Sequence, residues 1–250
     1  MKIAVLICGL PRSYKKTYES FHVGFKDYDA DVYIHSWKTT HKSVNNASNS
    51  KNIDSNLATE QELQNLFSAK KVVVEEQVAT EIPGLILPST DPYPNNAVCF
   101  HESIKRCFKL IDNPNVYDVF VITRPDIYYY ERLPLKKQPP KNISVPYINN
   151  LYEGKDILKK GKRQHPDSFF DMLYNGLVFG SYEEMLTFAS FADDYVDICK
   201  QPKYYLSKEI SYIPDRALAI YIKQEKNITV NEFRYRHGIM RDKQVQQYSW

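Results

Sequence analysis

A continuous run of apolar residues near the start of the chain, from Lys2 to Cys8, constrains the fold more than any other segment. A strand with apolar side chains at successive positions is covered on both faces, which is typical of a parallel sheet between two layers of helices. A second run, Tyr117 to Thr123, is apolar throughout its centre. These two strands predict an α/β domain with a mostly parallel sheet.

Helix and strand patterns alternate along the rest of the chain, as in βαβ units. Strands are expected at 31–35, 72–74, 142–148, 176–180 and 227–233, and helices at 14–25, 59–67, 100–111, 181–199 and 214–224. The segments 38–55 and 82–94 are expected to be loops. No internal repeat or linker divides the chain, so a single domain is expected over residues 1–250.

Composition excludes several classes of function. Glycine accounts for only 8 of 250 residues, so a glycine-rich phosphate loop is not expected, because such a loop needs positive φ angles and close approach of the backbone. A bound phosphate would instead need side-chain cations and a metal. The net charge of +3 is too small to indicate a nucleic-acid-binding stripe.

The cysteines and the first residues bear on the compartment. The four cysteines form no CxxC pair, which argues against a zinc site and favours buried thiols in a reducing environment. The apolar run at the start is short and has no cleavage site after it, and no segment is long enough to span a membrane. We therefore expect a cytoplasmic protein.

Three strand exits carry polar residues, at Gly9 to Ser13, at His35 to Trp37 and at Arg124 to Asp126. Ligands of open α/β sheets bind beyond the carboxyl ends of the strands. Arg124 offers a planar fork of donors to phosphate oxygens, and Asp126 offers oxygen ligands to Mg²⁺ or Mn²⁺. The structural alternative is an ion pair or a turn at the end of the strand. Trp37 also has two interpretations: its ring could stack on a base or a sugar of a ligand, or it could pack against the end of its own strand.

The loop after the first strand has the sequence GLPRS, from Gly9 to Ser13. Its backbone N–H groups and Arg12, at the start of a helix, are suited to hold an anion. It is similar to the beginning of the sulfotransferase phosphate loop, although Tyr14 to Lys16 replace the Gly-Thr-Thr expected next. The structural alternative is an ordinary strand-to-helix turn, with Ser13 capping the helix.

Three later residues are also candidates. Asp171, shortly before a glycine-flanked strand, could act as a base or orient a sugar hydroxyl, or be a loop residue. Asp215, in the first turn of a helix, could simply stabilise the helix N-terminus. His237 follows the last expected strand beside Arg234 and Arg236, where it could be a late metal ligand, a phosphate contact or part of a solvated basic tail.

In their order and spacing, these segments resemble small GT-A-type glycosyltransferases of bacterial surface-polysaccharide loci and large algal viruses. The matching segments are, in chain order, ICGLPRS, DVYIHSW, RPD, DxxxxGLVFGS and PDxxLxxYI. Together they span about residues 1 to 235. The resemblance implies one GT-A (Rossmann-like) domain, with a nucleotide-sugar-binding half at 1–130 and an acceptor-side half at 131–250.

The resemblance also implies a nucleotide-sugar donor, with a UDP-sugar favoured, a glycan acceptor, and Mn²⁺ or Mg²⁺ on the diphosphate. The usual metal motif is Asp-x-Asp; here Arg124 takes its first position, so Asp126 is the expected ligand, joined by His237. Asp171 and Asp215 compete for the role of base. The expected donor-binding residues are Cys8, Gly9, Leu10, Pro11, Arg12, Ser103, Arg106 and Arg124.

Two other classes of function remain open from the sequence. One is a sulfotransferase-like transferase that uses Pro11, Arg12 and Ser13 to bind phosphate without a metal. The other is a non-catalytic sugar-binding module that has kept the fold. The sequence does not choose between inversion and retention of the anomeric configuration.

Overall fold

The computed structural model describes residues 1–38, 58–77, 93–146, 176–199, 214–241 and 244–248, and at 93–97, 196, 199, 214–216, 241 and 244–248 it describes the backbone alone. The helices in these ranges are α1 (Tyr14–Gly24), α2 (Glu60–Phe67), α3 (Tyr93–Phe108), α4 (Tyr182–Cys199) and α5 (Pro214–Ile220), which continues as a π-helical segment, Tyr221–Glu225. The strands are β1 (Lys2–Gly9), β2 (Asp29–Trp37), β3 (Lys71–Glu75), β4 (Val119–Thr123), β5 (Ile127–Tyr129), β6 (Asn142–Pro146), β7 (Leu177–Gly180), β8 (Thr229–Phe233), β9 (His237–Arg241) and β10 (Gln244–Tyr248).

Seven of these strands form one mixed sheet in the order β3-β2-β1-β4-β7-β6-β8. Strands β3, β2, β1 and β4 are parallel to one another, and β8 is parallel to β6. Only β7 is antiparallel to its neighbours among the described strands of this sheet. The prediction of an α/β fold with a mostly parallel sheet is therefore confirmed.

Helices cover both faces of this sheet. Since neighbouring residues of a strand point to opposite sides, successive side chains of β1 pack against different helices. Val5 of β1 packs in one core cluster with Phe21 of α1, while Leu6 packs in the other with Ile104 of α3 and Phe188 of α4. Every apolar side chain of β1 is buried. Complete burial of each large one contributes about 1.5–3 kcal/mol to stability, which explains why this apolar run has so strong an influence on the fold.

The sheet has a topological switch point between β1 and β4. From β1 the chain runs outward through β2 to β3, then crosses back through α3 and places β4 on the other side of β1. The carboxyl ends of β1 and β4 lie side by side at this switch point, and the crevice beyond them is the usual ligand position in such sheets.

A second, three-stranded sheet in the order β10-β9-β5 was not predicted from the sequence. Strand β5 is too short to show a periodic pattern. Strand β9 begins with His237 and Gly238, and glycine is rare in strands. Ile127 and Tyr129 of β5 and Ile239 of β9 join the core on the α1 side of the main sheet. The alternative of a solvated tail around His237 is therefore wrong.

Several element boundaries also differ from expectation. Helix α3 begins at Tyr93, inside the expected loop 82–94, and Pro94 is tolerated there because it falls in the first turn. The expected loop 38–55 falls almost wholly outside the described ranges. In the ranges that are described, no helix has the length and apolar character needed to cross a bilayer.

Candidate functional site

The structure brings the two most polar strand exits together. In the parallel pairing of β1 with β4, Ile7 lies opposite Thr123, so both strands end at the same edge. The hydroxyl of Thr17, in the first turn of α1, donates to the Pro125 carbonyl at 2.5 Å. The GLPRS loop and the segment Arg124 to Asp126 therefore form adjoining walls of the crevice.

Gly9 fixes the point at which the first loop leaves the sheet. Its φ of +100° lies in the region that favours glycine, and an added Cβ would lie 3.2 Å from the Phe100 ring. The Gly9 N–H donates to Ser103 Oγ at 2.8 Å, and the Ser36 hydroxyl donates to the Gly9 carbonyl at 2.9 Å. Both backbone polar groups are thus bound by side chains of neighbouring elements.

The remainder of the loop does not form an ordinary capped helix start. Ser13 has a left-handed backbone, with φ 53°, and its side chain makes no capping hydrogen bond, so the alternative that Ser13 caps α1 is wrong. Its carbonyl instead accepts from the Lys16 N–H at 2.8 Å. Because the Ser13 hydroxyl makes no capping hydrogen bond, the first N–H groups of α1 remain suited to an anion. Arg12 is half-buried in the same loop.

Arg124 and Asp126 form a two-bond ion pair at the exit of β4. Arg124 Nε donates to Oδ1 of Asp126 at 2.9 Å, and Nη2 donates to Oδ2 at 2.6 Å. Asp126 is only 2% exposed, whereas Arg124 is partly exposed. The structural alternative for this tripeptide, an ion pair at the strand end, is therefore what the fold contains.

This geometry does not suit a divalent cation at Asp126, because both carboxylate oxygens already accept from one guanidinium. His237, the second expected ligand, is buried in β9, and its Nδ1 lies 3.3 Å from the Tyr235 carbonyl oxygen. Burial lowers the pKa of His237 to about 4. Within the described part of the chain, no three His, Cys, Asp or Glu residues are arranged to hold a metal. The metal thus stays a prediction from the resemblance.

A buried polar network lies beside Gly9, at the ends of β2 and β3. His35 Nδ1 lies 2.8 Å from Ser103 Oγ, and His35 Nε2 lies 2.7 Å from Oε1 of Glu75. Burial lowers the pKa of His35, and the hydrogen bond to Glu75 opposes that shift only in part. A neutral His35 with its proton on Nε2, facing the carboxylate, has Nδ1 as an acceptor, so the single Ser103 hydroxyl proton is shared between Nδ1 and the His35 carbonyl oxygen 3.0 Å away.

Arg106 closes this network on its outer side. Its guanidinium donates to Glu102 at 2.9 Å, contacts Glu75, and lies 5.1 Å from the ring centroid of Trp37. Trp37 is itself buried and donates from its indole nitrogen to the Cys99 carbonyl at 2.9 Å, so it packs and does not offer a stacking face. Glu75 and Glu102 were not predicted as site residues; the i,i+4 spacing of Glu102 and Arg106 was the signal available in the sequence.

The other expected site residues fall into two groups. Cys8 and Ser103 lie at the crevice but are buried; the Cys8 thiol contacts Cys107, and both contact and burial raise its pKa, burial more strongly. Asp215 lies in the first turn of α5 with its backbone alone described, and Asp171 lies outside the described residues. The structure therefore does not place either carboxylate against the crevice.

Comparison with known protein families and with curated proteins gives no match to this chain. Function therefore has to be inferred from the site itself.

Proposed function

We propose that this chain is a GT-A-type glycosyltransferase, which moves a sugar from a nucleotide-diphosphate sugar to a hydroxyl of a glycan acceptor, with a UDP-sugar favoured as donor. The observation that carries the proposal is the meeting of the exits of β1 and β4, which lead into the GLPRS loop and into Arg124, at the switch point of the sheet. A mostly parallel sheet with helices on both faces, and a crevice at this point, is what the resemblance implies.

The two arginines of the crevice supply the electrostatics that the reaction needs. When the bond to the anomeric carbon breaks, negative charge develops on the leaving diphosphate, and fixed cations stabilise it. Arg124 presents a planar fork that matches phosphate oxygens, and Arg12 lies on the adjoining loop. Phosphate oxygens would compete with the Asp126 carboxylate for the Arg124 guanidinium.

The acceptor hydroxyl must lose a proton as it attacks the anomeric carbon. A carboxylate is the usual base, and Asp215 and Asp171 are the two proposed candidates. Mn²⁺ or Mg²⁺, if bound, would supply further charge on the diphosphate. Both oxygens of Asp126, the residue that the resemblance implies as its ligand, accept from Arg124.

The direct test is thermal unfolding with UDP, GDP, ADP and adenosine 3′,5′-bisphosphate, each with Mn²⁺ and with EDTA. A ligand at 100 times its Kd stabilises by about 2.7 kcal/mol, equivalent to a rise in Tm of about 5–10 °C for a chain of this size. We expect UDP to give the largest rise. No rise with any nucleoside diphosphate would overturn the proposal, and a rise with the adenosine bisphosphate alone would favour a sulfotransferase.

A variant tests whether the crevice is the binding site. The double substitution Arg124→Gln and Asp126→Asn keeps a neutral hydrogen-bonded pair, so it should fold but lose the rise caused by UDP. Arg132→Gln is the matched control, since Arg132 is an exposed arginine stacked on Tyr28. Release of free sugar from a UDP-sugar during long incubation separates an enzyme from a non-catalytic sugar-binding module.

A further inference from the structure

One face of the three-stranded sheet carries two tyrosines just beyond the Arg124–Asp126 pair. Ile127 and Tyr129 point into the core on the α1 side, so the alternation of the strand places Tyr128 on the opposite face. The ring of Tyr130 lies against that of Tyr128, with centroids 5.0 Å apart and planes at 59°. Both residues are partly exposed.

An exposed arginine completes this surface, which we call the tyrosine platform (Tyr128, Tyr130 and Arg236). The Arg236 guanidinium lies 4.5 Å from the centroid of the Tyr130 ring. Among the described residues, no carboxylate forms an ion pair with Arg236. A guanidinium held over a ring keeps N–H donors at its edge, where they can bind a carboxylate through two parallel hydrogen bonds.

Two further features leave the tyrosine platform ready for a ligand. The Tyr130 hydroxyl is buried and has no hydrogen-bond partner among the described residues. Such a group is costly unless a ligand or a water satisfies it. Gly238 pairs with Tyr128 across the sheet, so β9 contributes no side chain at the position beside that ring.

A second arginine–tyrosine pair in the same protein shows what a purely structural pair looks like. Arg132 stacks over Tyr28, with the guanidinium 4.3 Å from the ring centroid. The Tyr28 hydroxyl, however, donates to the Leu133 carbonyl at 2.6 Å and accepts from the Leu135 N–H at 3.2 Å. The Tyr28 hydroxyl therefore both donates and accepts a hydrogen bond within the protein, whereas the Tyr130 hydroxyl does neither among the described residues.

We infer that the tyrosine platform binds a sugar that carries a carboxylate, as part of the acceptor glycan. The Tyr128 ring suits the apolar face of a pyranose, and Arg236, held over Tyr130, can bind the carboxylate. This inference rests on the proposed function, which it deepens by naming an anionic acceptor.

The position of the tyrosine platform agrees with an acceptor subsite. Tyr128 is two residues beyond Asp126, a distance of about 7 Å along an extended chain. The Met240 N–H donates to the Asp126 carbonyl at 2.8 Å, which fastens β9 to the strand exit. A sugar on the tyrosine platform would therefore lie close to a diphosphate held by Arg124.

The experiment is a ligand-observed NMR titration of the full chain with methyl β-D-glucuronide and, separately, with methyl β-D-glucoside. We expect the glucuronide to bind more tightly. Arg236→Gln should weaken glucuronide binding about tenfold, as loss of a charge-assisted contact predicts, and leave glucoside binding unchanged. Arg132→Gln, the matched control, should change neither, and Tyr128→Ala should weaken both.

The same samples are tested for UDP binding by thermal unfolding, which separates the two proposals. If UDP binds but the two glycosides bind equally, or Arg236→Gln and Arg132→Gln behave alike, the inference about the acceptor is overturned while the proposed function stands. If UDP fails to bind while the glucuronide binds through Arg236, the proposed function fails and the tyrosine platform is a carboxylate-binding sugar site only.

Discussion

Arg124 donates to both carboxylate oxygens of Asp126, two residues further along the chain, at the exit of the central strand β4. Arg124 was expected to bind the donor and Asp126 a metal ion, with an ion pair as the structural alternative, and in the fold the two side chains bind each other. An anion that enters the crevice must therefore compete with a buried carboxylate for the same guanidinium.

The stability of the protein should depend on this pair. Arg124→Gln leaves the Asp126 carboxylate buried without its cation, and removal of one partner of a buried pair costs about 3–5 kcal/mol. We expect the lower end of that range, because Arg124 is partly exposed. Urea denaturation measures the loss. The double variant with Asp126→Asn should recover most of it; equal losses in both variants would contradict this account.

UDP binding should survive the removal of divalent cations. Both oxygens of Asp126 are engaged, so the arginines of the crevice carry the attraction to the diphosphate. Isothermal titration with UDP in EDTA and in Mn²⁺ should give Kd values within about threefold of each other, a free-energy difference below 1 kcal/mol. A much tighter Kd in Mn²⁺ that Asp126→Asn abolishes would instead establish Asp126 as a metal ligand.

The hydroxyl of Ser103 should hold the GLPRS loop in place. Ser103→Ala leaves the buried Gly9 N–H without an acceptor, at a cost of about 1–3 kcal/mol. Amide hydrogen exchange at Gly9 should accelerate in this variant. Ser190→Ala is the control, because that hydroxyl donates to Thr187 of its own helix and lies away from Gly9. Unchanged exchange at Gly9 would show that Ser103 does not anchor the loop.

The end of α1 should not accept a side chain at Gly24. A Cβ there would lie 2.6 Å from the buried ring of Tyr129, which has little room to move. Gly24→Ala should therefore destabilise the protein by about 1–3 kcal/mol, as overpacked cores generally do. Val23→Ala, at an exposed neighbouring position, serves as the control in the same urea titration. A neutral effect of Gly24→Ala would contradict the close packing of α1 on β5.

Acid should destabilise the protein partly through His101 of α3. This residue is buried beside the rings of Phe188 and Phe191, and burial lowers its pKa from 6.5 to about 3. The unfolded chain thus binds a proton that the folded one does not. The contribution of the neutral His101 to the free energy of unfolding is fully present above about pH 6.5. Below that pH it falls by about 1.4 kcal/mol per pH unit, until the pKa of the folded state is reached.

The variant His101→Gln should reduce this slope between pH 6 and pH 4 by the same 1.4 kcal/mol per unit, to within a factor of about two. Urea titrations across that range measure it. His22→Gln, which changes an exposed histidine, is the control and keeps the buried imidazole. An unaltered slope in His101→Gln would mean that His101 does not titrate as its burial predicts. His237, with a pKa of about 4, should account for part of the slope that remains.

The sequence predicted the main sheet well, because burial on two faces leaves a continuous apolar run, as in β1 and β4, that few other structures produce. It failed for β5 and β9, since three residues cannot display a period and a strand that starts with His237 and Gly238 looks like a loop. The tyrosine platform was therefore not predicted either, because its geometry follows from the pairing of β5 with β9.

Within the site, the sequence identified the strand exits but not how their side chains are used. The local sequence pattern shows which end of a strand carries a polar residue. That pattern correctly located Gly9, Arg124 and Asp126 at one edge of the sheet. The hydrogen-bond partners of these polar groups, however, depend on how elements that are far apart in the sequence pack together. The hydrogen bonds of Ser103 and the joining of His35 to Glu75 have no local signal, because α3 and β3 reach them from separate parts of the chain.

The three-stranded sheet has a consequence for the order in which the protein folds. Strands β1 to β4 all lie in the first half of the chain, so they are available to pair before β9 and β10 have been synthesised. Domains generally begin to fold from the N-terminal side during synthesis. The exits of β1 and β4 can thus meet on the ribosome, whereas the three-stranded sheet cannot close until the last strands have emerged.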